Sequence, residues 1–104
     1  MATTSKVLAR TAAATTSTTL YTQPNTSTTT IVTNILVTNT TSSAATFGLT
    51  IGGTTAATSV AVAAYDTTVI DMKQVIPASD PAKTITGLAS TTAVNFHISG
   101  VEIS

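Results

Sequence analysis

Twenty-seven of the 104 residues are threonine, and together with the valines and isoleucines they set a β-branched side chain at close intervals along the whole chain. Two heavy atoms on Cβ stiffen χ1 and crowd a helical turn, so such residues fit a pleated strand better than a helix. The alanine runs at 12–14 and 56–57 are too short to nucleate a helix against that bias. The fold class that follows is all-β.

Alternation then locates the strands. In Ala45–Ile51, Phe47, Leu49 and Ile51 alternate with Thr46, Gly48 and Thr50, and Gly52-Gly53 follows as a two-residue turn. Val94, Phe96 and Ile98 alternate with Asn95, His97 and Ser99, and the period runs on toward Val101 and Ile103 with a bulge expected at Gly100. Residues 28–39 are apolar on both faces, with Ile31, Ile35 and Val37 on one and Val32 and Leu36 on the other. A strand of that kind is central in a sandwich or lies at a subunit contact. Weaker strands are expected at 6–12, 18–22, 60–65, 67–74 and 83–88, and a loop at 76–81, where Pro77 and Pro81 cannot join a central ladder. About eight short strands at this spacing imply an antiparallel β-sandwich, jelly-roll or Ig-like. Its expected core is Phe47, Leu49, Ile51, Val94, Phe96 and Ile98, with Ile70 and Met72 added. Residues 1–19 read as an N-terminal arm or edge strand, and 20–104 as the sandwich domain.

Charge narrows the partners. Lys6, Arg10, Lys73 and Lys83 balance Asp66, Asp71, Asp80 and Glu102, for a formal net charge of zero and only 8% charged residues. A nucleic-acid binder needs clustered Lys and Arg, so nucleic acid is excluded as a partner. No run approaches the ~18 apolar residues of a membrane span, and no membrane partner is expected. Residues 11–65 contain no Lys, Arg, Asp, Glu or His. A fully wetted surface normally carries charge, so either threonine hydroxyls supply the solvation or much of this half is covered by another subunit; a homo-oligomer is the expectation. The candidate contacts are Lys6, Arg10, Ile31, Val32, Ile35, Leu36 and Val37.

No pattern of catalytic residues emerges. His97 is the single histidine and there is no cysteine, so neither a metal site nor a cofactor site is expected. Asp66 and Asp71, five apart, would face opposite sides of one strand, and Gly52-Gly53 lacks the frame of a phosphate loop. Asp80 before Pro81 is a turn initiator. Tyr21 and Tyr65 could stack on sugars, which keeps a carbohydrate-binding module as the alternative from another class. Asn25-Thr26-Ser27 and Asn39-Thr40-Thr41 match the glycosylation pattern, as chance provides in so Thr-rich a chain.

Three segments read together carry a resemblance: Leu20-Tyr21-Thr22-Gln23-Pro24, the run from Ile31 to Thr41, and Asn95-Phe96-His97-Ile98-Ser99-Gly100-Val101-Glu102-Ile103. They resemble small virion structural proteins of tailed bacteriophages, particularly those of cyanobacterial and marine phages. The resemblance implies a non-enzymatic β-sandwich in the virion, with other virion proteins, major capsid or tail, as partners. It implies capsid decoration (cement) first and a tail, baseplate or fibre-adaptor role second, and it transfers no catalytic residue.

Overall fold

The computed structural model describes residues 3–24, 27–70 and 73–103. Met72 and Asp71, and the Asn25-Thr26 part of the first glycosylation match, lie outside the described residues. Nine strands follow one another: β1 (Thr3–Ala12), β2 (Thr18–Thr22), β3 (Thr29–Asn39), β4 (Ala45–Ile51), β5 (Thr54–Val62), β6 (Thr67–Ile70), β7 (Gln74–Ile76), β8 (Thr84–Ala89) and β9 (Val94–Ile103). There is no helix among the described residues.

The strands form two antiparallel sheets, one ordered β1-β9-β3-β6 with β7 also paired to β3, the other β2-β8-β4-β5. Because β6 and β7 lie end to end against β3, they act as one interrupted strand, leaving two packed sheets of four positions. An immunoglobulin-like sandwich keeps its first two strands in one sheet; here β1 and β2 lie in opposite sheets, and the chain crosses between sheets at every connection except β4–β5 and β6–β7. This is the jelly-roll order. β1, the expected arm or edge strand, runs along β9 as the outermost strand of its sheet, and β2 spans the boundary placed between residues 19 and 20.

All six residues expected in the core are buried, and Ile70 packs against it. Phe47 and Phe96 meet edge to face across the sheets, with centroids 6.1 Å apart, an arrangement that adds to area burial. Polar clusters close both ends. At one, the Tyr21 hydroxyl donates to the Glu102 carboxylate and lies 2.9 Å from Thr30 Oγ1, which donates to Gln23 Oε1 at 2.7 Å; Lys6 reaches Glu102 at 3.5 Å. At the other, buried Asn39 donates its amide to the Ser43, Val62 and Ala63 carbonyls and accepts from the Thr41 N–H. The second glycosylation match is therefore a packed structural amide.

Four expectations are corrected. The strand at 60–65 is instead β5, which leaves the Gly52-Gly53 turn directly; both glycines have positive φ (60° and 83°), as a tight hairpin requires. As an edge strand β5 needs little apolar alternation, and Tyr65 falls in the next turn at φ 56°. The strand at 67–74 is split in two, and the expected loop loses Ile76, which ends β7 fully buried. The bulge expected at Gly100 lies instead in both neighbours of β9, where the register shifts between Val7 and Ala9 on β1 and between Val32 and Asn34 on β3. Gly100 borders these two shifts, and a Cβ there would lie 2.4 Å from the Ile31 carbonyl oxygen and 2.7 Å from Leu8 Cδ1. The fourth correction follows from the bulge in β3. It reverses face parity, so Val32 joins Ile35 and Val37 inside, while Ile31 joins Leu36 outside.

Candidate interaction face

The outer face of the five-stranded sheet is built from residues that the alternation of β9 turns away from the core. Strand register aligns them in rows: Ser5, Val101, Ile31 and Val75 form one, and Arg10, His97, Leu36 and Val69 another. Between them Val7 stands beside Ser99, whose carbonyl accepts from Thr33 Oγ1 at 3.2 Å. Beyond them Thr38 and Thr67 pair their hydroxyls at 3.3 Å. Val7, Val69 and Val75 are about half exposed, at 45%, 55% and 56%. Among the described residues Arg10 is the one charged side chain that these strands turn to this face; Lys6 and Glu102 are inward-facing positions, opposite Gly100 and Thr4 respectively, and pair diagonally with each other. A weakly charged face bearing several exposed valines has the composition of a contact surface.

Of the candidate contacts, Ile31, Leu36 and Arg10 lie on this face. Lys6 sits at its edge and turns inward to Glu102. Val32, Ile35 and Val37 are fully buried between the sheets and are closed to any neighbour. Val7, Val69, Val75 and Val101, which are not among the expected contacts, reach the face only through strand pairing. Val69 and Val75 each stand next to an isoleucine, Ile70 and Ile76, in strands too short to show an alternation, so the local pattern does not reveal which of the two the sandwich covers.

His97 stands between Arg10 and Leu36 in the register, facing outward. Among the described residues no three His, Asp or Glu side chains gather where they could hold a metal. Asp66 and Asp80 are turn formers: Asp66 Oδ1 accepts the Thr67 N–H at 2.8 Å and Asp80 Oδ1 the Ala82 N–H at 3.1 Å. Tyr21 is packed inside the sandwich, so it offers no ring to a sugar; burial, then the hydrogen bond to Glu102, raises its hydroxyl pKa to about 12. The outer face of the other sheet holds a groove of about 370 Å³ over Gly48 and Leu88, rimmed by hydroxyls such as Thr46, Thr50, Thr58 and Thr86, with no charged residue among those that line it.

No protein-family model and no curated protein sequence matches the chain. Solved structures share its fold. A chain from the Bacillus endospore appendages, a family of disulfide-linked pili, superposes with a TM-score of 0.51 at 17% identity over 97% of this chain and 83% of that one. A chain in the structure of the infectious bursal disease virus Gx strain superposes with a TM-score of 0.57 at 16% identity over 97% of this chain. This chain spans 30% of that viral one. The fold common to all three is a two-sheet all-β sandwich, occurring here as in an assembled appendage and a virus particle.

Proposed function

We propose that the chain is a non-enzymatic structural subunit that docks through the outer face of its five-stranded sheet, and that its assembly is the virion of a tailed phage, where it decorates the capsid. The observation that carries this reading is the face itself, with Ile31, Leu36, Val69 and Val75 presented beside one charge. The resemblance of its segments to small phage virion proteins supplies the virion, and the sharing of this fold by a pilus subunit and a viral chain agrees with a structural role. Where the Bacillus appendages are disulfide-linked pili, this chain has no cysteine, so its contacts do not use disulfides.

The test is to locate the chain in an electron-microscopy map of the parent particle. Hundreds of copies with this sheet face against the shell are expected. A few copies at the tail tip would move the role to tail or baseplate, and a chain projecting into solvent with this face free would overturn the docking reading. In parallel, Ile31→Lys with Leu36→Lys should abolish docking onto undecorated particles while leaving the fold intact, because both side chains are only partly buried at the surface. Docking at the parent level by the double variant would refute the assignment of the face.

A further inference from the structure

An open sheet edge offers unpaired backbone N–H and C=O groups to any extended chain, so proteins shorten, bulge or interrupt their edges. Three of the four edges here are treated in that way. β2 has five residues, a register shift and Pro24 just beyond it. β5 carries two register shifts and Ser59 at φ 48°. The edge opposite β1 is broken into β6 and β7, of four and three residues. β1 stands apart, with ten residues interrupted by a single shift at Leu8.

We propose that β1 is a self-pairing edge: two copies of this chain join antiparallel along β1, in the register that sets Thr3 of one opposite Ala12 of the other, making one sheet continuous across both. That register overlaps the two strands along their whole length, and the bulge makes the pairs on either side of the axis face-matched, leaving Val7 and Leu8 of each copy as the bulge at the axis. Pairing with β9 puts Thr3 and Ser5 on the outer face before the shift and Arg10 and Ala12 after it, with Thr4 and Lys6 inward before and Ala9 and Thr11 inward after. Thr3 then meets Ala12, Thr4 meets Thr11, Ser5 meets Arg10 and Lys6 meets Ala9, each pair on one side, and the two bulges adjoin at the two-fold axis. Without the parity reversal every one of these pairs would set an outward residue against an inward one.

Charge allows the pairing. A β1–β1 contact would be opposed if its cations stood opposite each other, and β1 carries two with no acid. In this register each cation faces a small neutral residue, Arg10 outward and Lys6 inward, where Glu102 already holds it. The interface is isologous and closes as a dimer, so it does not propagate into a fibre. It stands on the free edge of β1 and holds whether or not the outer face docks onto a virion.

The absence of native cysteine makes the test clean. Full-length Ser5→Cys and Arg10→Cys chains are prepared separately and exposed to a mild oxidant alone and mixed. Directly opposed residues on antiparallel strands lie within disulfide reach, so the mixture should give a linked heterodimer and each variant alone should stay unlinked. In sedimentation at rising concentration, Ser5→Lys sets two cations against Arg10 across the axis and should weaken the dimer about 3- to 10-fold, whereas Ser5→Glu should tighten it by a similar factor. Both positions are exposed, so the fold is preserved. A parent chain that stays monomeric to high micromolar concentration without cross-linking overturns the proposal. So does linkage in either single preparation to the extent seen in the mixture, or equal effects of the Lys and Glu variants.

Discussion

Replacing Gly100 by alanine should destabilise the protein, although the same change in an ordinary strand stabilises it. Glycine in a strand interior costs roughly 0.5 to 1 kcal/mol relative to alanine, because its unfolded chain has more freedom to lose. At Gly100 that gain meets an obstacle in the backbone. The added Cβ would lie 2.4 Å from the Ile31 carbonyl oxygen, which belongs to β3 and cannot rotate away, and 2.7 Å from Leu8 Cδ1. β9 lies between β1 and β3, so moving off one neighbour presses on the other. Overpacking of this kind costs about 1 to 3 kcal/mol, and displacing the buried Leu8 side chain adds about 1 to 2 kcal/mol of lost burial. Subtracting the entropic gain leaves a net loss of about 1 to 4.5 kcal/mol, a substantial share of the roughly 5 to 15 kcal/mol that holds a domain together. Urea denaturation followed by circular dichroism should show a lower midpoint with unchanged slope, and Tm should fall by about 5 to 20 °C. Leu8→Ala in the same chain should remove part of the overlap, giving a double-mutant coupling of about 0.5 to 2 kcal/mol. A Gly100→Ala protein as stable as the parent would refute the claim that the flanking shifts in β1 and β3 close tightly on this position.

Two further outcomes are expected. Phe96→Ala removes a fully buried ring and its edge-to-face contact with Phe47, and should cost about 3 to 5 kcal/mol in the same denaturation assay; an unchanged midpoint would mean that the inner face of β9 is misassigned. Tyr21, with its folded pKa raised to about 12 against an ordinary 10, contributes stability that is complete below pH 10 and lost as pH rises from 10 to 12, because the unfolded chain releases the proton first. Thermal melts across that window should therefore show a steeper alkaline decline for the parent than for Tyr21→Phe, and parallel declines would count against a buried, neutral hydroxyl.

Local pattern alone determined much of this protein. The β-branched composition excluded helices, and the alternations in Ala45–Ile51 and Val94–Ile103 picked out two inner strands and six core residues, because a period of two forces same-side residues to share a fate once one side is buried. Turn chemistry at Gly52-Gly53 and Asp80-Pro81 is equally local and equally readable. What alternation cannot carry is a change of parity. The single extra residue in β3 leaves no mark on composition, yet it moved Val32 into the core and Ile31 out to the surface, two of the seven expected contact residues. Edges escaped for a related reason: β5 forms because β4 offers it a ladder of backbone hydrogen bonds, and its own side chains hardly signal a strand. Strand order lies further still from the sequence. Pairing β1 with β9 and β2 with β8 joins opposite ends of the chain, and only the closing of two sheets over one shared core decides which strand meets which, which face is covered, and which edge stays open.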